Sequence, residues 1–280
     1  MIPYSYFVTR HEWFKGSEMN NRWAIILTVC ALFTVLAFAG CAEPVSYPEL
    51  VSAPQAPTIV APPQYRIIGT SVQRRPMVSL VLGRGPEVIF IMATIHGDEP
   101  AGTPLVRRLA TYLQEHPRLL DGRTVVLLPL ANPDGMAHNT RHNAHGVDLN
   151  RNFAAANRQN SARHGFVALS EPEARAIRQL IVQYTPDRIV SIHQPLACID
   201  YDGPGQMLAD RMAQYCDLPI KKLGAEPGSL GSYAGLTLGI PIITFELLRT
   251  DSQLAPETLW QRYGAALIAA IVYPDAVESK

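Results

Sequence analysis

Apolar and polar positions alternate in two rhythms from Tyr65 toward the C-terminus. Residues 77–82 and 87–95 are apolar, β-branched runs that predict strands, and residues 124–130 predict another. Between them, residues 100–114 bring Leu105, Leu109 and Leu113 to one face at helical spacing. Asn132-Pro133-Asp134-Gly135 then predicts a turn. A second helix opens on Ser170 as N-cap, with Pro172 in its first turn and Glu173 at the positive end of the helix dipole. It runs to Tyr184 on Ala174, Ile177, Leu180 and Ile181. Residues 188–193 read as a short strand ending on histidine and 205–215 as a helix. Residues 228–239 predict a glycine-rich turn leading into a short helix. The pattern closes with an apolar strand over 241–248, Glu246 embedded in it, and an amphipathic helix over 256–271. With no second linker and no repeat in residues 65–280, this alternation predicts a single α/β domain.

Two stretches break the rhythm. Residues 136–170 are polar, rich in asparagine, histidine and arginine, and a loop this long in a compact domain is usually functional. Residues 23–40 carry no charge, follow Arg22 and end in small residues, the pattern of a secretory signal over residues 1–40. Met19-Asn20-Asn21-Arg22 is a more natural start than the mixed residues before it, so Met19 is the expected initiator. Phe38-Ala39-Gly40-Cys41 resembles a bacterial lipobox, in which Cys41 carries lipid and begins the mature chain. The alternative is a retained transmembrane anchor, since the segment is near the minimum length that spans a bilayer. Residues 41–64, rich in proline, suit an extended spacer between membrane and domain. An extracytoplasmic, periplasmic and membrane-anchored lipoprotein is the expected setting.

Composition narrows the possibilities further. Of 280 residues 48% are hydrophobic, enough for a sizeable core, and 24 basic residues balance 24 acidic ones. That balance offers no electrostatic case for nucleic acid. Among the cysteines, Cys30 falls in the signal and Cys41 at the lipobox, which leaves Cys198 and Cys216 in the domain. A disulfide between them is permitted but not required.

The candidate chemistry starts at Thr94-Ile95-His96-Gly97-Asp98-Glu99-Pro100. An imidazole and a carboxylate three residues apart on a turn at a strand's carboxyl end are able metal ligands. A catalytic zinc site takes three protein ligands and keeps a position open, and His193, also at a strand end, can supply the third. Glu246 lies in Ile242-Ile243-Thr244-Phe245-Glu246-Leu247-Leu248, where an ionised carboxylate is costly unless it is paired or faces a cleft. It reads either as a general base or as the solvent-facing residue of a half-exposed strand. In the polar loop from Arg141 to Phe153, two arginines, Arg141 and Arg151, and two or three asparagines suit the grip of a carboxylate. Arg141 alternatively polarises a scissile carbonyl, and Asp148 can orient a ligand histidine.

His-Gly-Asp-Glu-Pro, Gly-Val-Asp-Leu-Asn-Arg-Asn-Phe, Ser-Ile-His and Thr-Phe-Glu-Leu, in that order over residues 88–271, resemble the zinc carboxypeptidase family. Within it, Ser191-Ile192-His193-Gln194-Pro195, Asp200-Tyr201-Asp202-Gly203-Pro204 and the stretch from Pro227 to Tyr233 are similar to the murein peptide amidases. Those bacterial enzymes cut the γ-D-glutamyl to meso-diaminopimelate amide of cell-wall peptides. The resemblance implies a mixed, twisted sheet flanked by helices and one zinc ion per chain on His96, Glu99 and His193. It also implies Glu246 as the base that activates water, Arg141 as the oxyanion donor, Asn150 and Arg151 as the carboxylate-binding pair, and Asp148 as support for His96. Ala154 stands where proline commonly follows the aromatic. Tyr201 and Tyr233 are both candidates for the family's mobile tyrosine. A murein peptide is the expected substrate. The competing expectations are a metallocarboxypeptidase that releases a C-terminal amino acid and a non-catalytic lipoprotein that binds peptide or murein.

Overall fold

Seven strands form one mixed sheet in the computed structural model, which describes residues 62–275. They are β1 (Gln64–Thr70), β2 (Pro76–Gly83), β3 (Glu87–Ala93), β4 (Arg123–Leu128), β5 (Arg188–His193), β6 (Leu196–Asp202) and β7 (Ile242–Leu248). Their spatial order is β1-β2-β4-β3-β5-β7-β6. The inner four, β4-β3-β5-β7, are parallel. Antiparallel pairs flank them on both sides. The sheet twists, as strands of L-residues must.

The chain reverses its direction of growth between β3 and β5. After β3 it crosses through α1 (Gly102–Glu115) to β4 on one side, then returns past β3 to β5 on the other. Such a reversal opens a crevice at the carboxyl ends of the strands, where open α/β sheets bind ligands. The short α2 (Pro133–His138) and then α3 (Pro172–Tyr184) lie on the route back. Because α1 and α3 serve crossovers in opposite directions, right-handed connection puts them on opposite faces. The packing agrees: α1, α4 (Gln206–Ala213) and α5 (Pro256–Val272) share a core with Ile91, Val190 and Phe245. On the other face, α3 packs on Phe90, Met92 and Ile189.

Several local expectations are corrected. Ser170 is not the N-cap of α3; Glu171 is, and Ser170 Oγ instead donates to its carboxylate at 2.7 Å. The Asn132 turn is the opening of α2, because the Asn132 carboxamide accepts the Gly135 N–H at 2.9 Å and caps a short helix. Residues Gly231–Thr237 wind as a π-helix. Strand β1 begins at Gln64, within the stretch read as spacer, and is an edge strand with little apolar signal. Strand β6 was hidden by its aspartates. Cys198 and Cys216 are free thiols. Met19, the signal segment, Cys41 and the proline-rich stretch up to Ala61 lie outside the described residues. Among the described residues no helix is long and apolar enough to cross a membrane.

The strand that carries Glu246 is fixed just beyond its end by Asp251, which is fully buried. Its carboxylate accepts from the Leu248 N–H at 3.0 Å, Arg262 at 2.5 Å and the Tyr263 hydroxyl at 2.5 Å. Asp251→Ala leaves the Tyr263 hydroxyl buried without its acceptor and is expected to lower stability by about 2–3 kcal/mol. Urea denaturation monitored by tryptophan fluorescence checks this.

Candidate active site

The turn after β3 is built under strain. Thr94 takes φ 56°, a left-handed conformation that costs a β-branched residue about 1–3 kcal/mol. It is held there by the Thr103 hydroxyl at 2.8 Å and by the Asn132 N–H, which donates to its carbonyl at 2.9 Å. Gly97 then crosses the start of α2 so closely that a Cβ would lie 1.9 Å from the Gly135 carbonyl carbon. Only glycine fits. Together these two positions turn His96 and Glu99 back toward the end of β5, where His193 waits.

The three side chains meet in one buried knot. His96 Nδ1 lies 2.8 Å from one Glu99 oxygen and His193 Nδ1 lies 3.0 Å from the other. The Gln194 N–H donates to Glu99 Oε2 at 3.1 Å. Behind the rings, His96 Nε2 contacts Asp148 Oδ1 at 3.1 Å and His193 Nε2 contacts Ser191 Oγ at 3.0 Å. Burial pushes the Glu99 carboxyl up, but the two imidazoles outweigh it and hold the group well below the usual carboxylate range. Asp148 is depressed in the same way, with His96 and Arg141 outweighing its burial.

This donor set fits a zinc ion. One ligand atom from each of His96, Glu99 and His193 lies within 4.8 Å of the others. Both Nδ1 edges face inward while both Nε2 edges are held from outside, which is how ligating histidines are oriented. Two imidazoles and one carboxylate also form a known catalytic zinc set with a position left for water.

Glu246 stands beside this knot. Register pairs it with His193 on β5 and with Cys198 on β6. The Leu196 N–H donates to its Oε2 at 3.2 Å, and burial pushes its carboxyl up. It therefore faces the crevice and is not the solvent residue of a half-exposed strand. From the polar loop, Arg141 donates to Asp148 Oδ2 at 2.9 Å and to Glu99 Oε1 at 3.2 Å. Asn150 uses its side-chain oxygen on the Leu230 N–H at 2.8 Å, which leaves the amide NH2 for the cleft. Arg151 donates to the Asn150 carbonyl at 2.8 Å and lies 3.5 Å from Glu226. His96, Glu99, His193, Glu246, Arg141, Asn150 and Arg151 line one cleft of about 460 Å³.

Neither tyrosine candidate reaches that cleft. Tyr201 packs toward the core face of β6, under Lys222, and Tyr233 is buried against Phe153. The residues that residue-type reasoning passed over are Ser191, Gln194 and Asn143. Asn143 ties the arginine loop to α3 through Glu171 at 2.7 Å and Glu173 at 3.1 Å. Ser191 was legible in principle, two residues before His193 and so on the same face of its strand.

A buried set of two imidazoles and a carboxylate beside a cleft glutamate is the arrangement of a metallohydrolase. Comparison with known proteins narrows the class. The zinc carboxypeptidase model matches residues 57–216, and the chain belongs to that family. Glu246 lies beyond the matched residues. The chain is 36% identical over 230 residues to murein peptide amidase A of Escherichia coli (strain K12), covering 74% of this chain and 90% of that protein. It is 33% identical over 189 residues to murein peptide amidase A of Vibrio campbellii, covering 60% and 72%. The crystal structure of a murein-tripeptide amidase from Escherichia coli O157 superposes with a TM-score of 0.59 at 28% identity, over 80% of this chain and 98% of that one.

Proposed function

We propose that this chain is a zinc-dependent murein peptide amidase that cuts the γ-D-glutamyl to meso-diaminopimelate amide. The observation that carries the reading is the convergence of both histidine Nδ1 atoms on Glu99 with Glu246 on the adjoining strand. The extent of the match to the murein amidases supports the substrate.

His96, Glu99 and His193 would hold the zinc ion. When bound, zinc acidifies water and polarises the scissile carbonyl. Glu246 takes a proton from the attacking water and returns it to the leaving nitrogen. A carboxyl raised by burial and held by one backbone N–H suits that exchange, because it binds and releases a proton more evenly than an exposed glutamate. Arg141 offers its guanidinium to the developing oxyanion. The free Asn150 amide and Arg151 grip a substrate carboxylate, which fixes the amide against Glu246. A lipid on Cys41 and a proline-rich spacer would keep the domain in the periplasm near its substrate.

The test uses stem peptides that extend one or two residues past diaminopimelate, with product masses read by mass spectrometry. The expected product is a fragment beginning with diaminopimelate. Release of single C-terminal residues alone would replace this reading with that of a carboxypeptidase. A smaller effect is expected from Ser191→Ala, which frees the His193 ring and should weaken zinc affinity about 10-fold. Competition with a fluorescent chelator measures it.

A further inference from the structure

The cleft continues below Glu246 along the sheet. On β6, Ala197, Ile199 and Tyr201 pack toward the core under α4 and α5. Strand alternation turns Asp200 and Asp202 the other way, where both line the cleft. Asp200 pairs with Thr244 and Cys198 pairs with Glu246. Asp200 is thus two residues, about 7 Å of strand, deeper than the level of Glu246.

The two aspartates are not equivalent. Asp202 is neutralised by Lys222 at 2.8 Å. Its other oxygen is packed against Gly231, where a Cβ would come within 2.1 Å. Asp200 is 4% exposed and accepts a backbone N–H from Leu223 at 2.9 Å; among the described residues no side chain donates to it, the nearby Lys222 being bonded to Asp202. Burial pushes its carboxyl up. A carboxylate so enclosed is costly unless a cation completes it. No step of the hydrolysis uses Asp200, yet it faces the space next to the reacting groups. Arg141 and Arg151 line the same cleft and supply positive charge. The cleft therefore offers both signs of charge and matches a residue that carries both a carboxylate and an ammonium.

Resting on the amidase reading, we propose that Asp200 determines specificity by binding an ammonium group on the side chain of the leaving residue. Glu246 returns its proton to the leaving nitrogen, so the residue bearing that nitrogen lies against β7. Its side chain then runs past Thr244 toward Asp200, a span suited to a lysine-like stem. Diaminopimelate carries a second amino group that can fill this role. An apolar side chain of the same length leaves Asp200 uncompensated.

Two γ-D-glutamyl peptides that differ only in lysine or norleucine after the scissile amide test this. The parent is expected to favour the lysine peptide about 10- to 100-fold in kcat/KM. Asp200→Asn keeps the Leu223 bond and should erase the preference by slowing the lysine peptide alone. The unchanged norleucine rate reports that the variant is folded, and Asp200→Ser replaces it if it is not. Equal slowing of both peptides, or a preference that survives, overturns the inference. Calorimetric titration of Glu246→Gln with the same peptides, with and without Asp200→Asn, separates this inference from the amidase reading. If the parent cleaves neither peptide but lysine binds more tightly and Asp200→Asn removes the difference, the ammonium site stands and the amidase reading falls. Equal or absent binding overturns the ammonium site.

Discussion

Glu246→Gln is expected to lower kcat by about 10³-fold while zinc content and peptide affinity hold. The amide is nearly isosteric, and its oxygen still accepts the Leu196 N–H that holds the side chain now. What it cannot do is take a proton from water. The loss therefore falls on kcat, since the groups that would grip the substrate lie on the polar loop and not on β7. Single-turnover kinetics on a murein tripeptide separates the chemical step from binding. A variant that keeps parental turnover would remove Glu246 from the mechanism and return it to the status of a buried structural acid.

Arg141→Ala is expected to lower kcat by about 10²- to 10³-fold, the effect of losing one oxyanion donor. In the structure its guanidinium bridges Asp148 and Glu99 and its side chain is only partly covered. Nε is therefore held by Asp148 and Nη1 by Glu99, which leaves Nη2 for the cleft. Because Arg141 also holds two acidic groups beside the histidines, zinc affinity must be measured in parallel. Loss of turnover with zinc retained assigns it to the oxyanion. Loss of zinc and turnover together would make it a support for the ligands instead. Its effect should appear in kcat, whereas Arg151→Ala, which acts on a ground-state carboxylate, should appear chiefly in KM.

Much of this architecture is legible in residue patterns, for a physical reason. The inner strands β3, β5 and β7 are continuous apolar runs, since both of their faces are covered, and the ligands His96 and His193 fall where those runs stop. Glu246 shows because it interrupts such a run. What escaped was set by tertiary pairing. β1 has one exposed edge and few apolar residues. β6 carries Asp200 and Asp202 toward a cleft that exists only once β7 lies beside it. The same is true of Asn143, whose partners Glu171 and Glu173 are far along the chain and meet it only when α3 docks. Tyr201 and Tyr233 were credible as residue types, but strand alternation and the packing of Phe153 turn both away from the cleft.

Zinc content of the purified, folded protein tests the central claim most directly. With His96→Ala as control, plasma mass spectrometry should find about one zinc per parent chain and close to none in the variant, as expected for a site that needs three protein ligands. Near-zero zinc in a folded parent supplied with the metal would contradict the account.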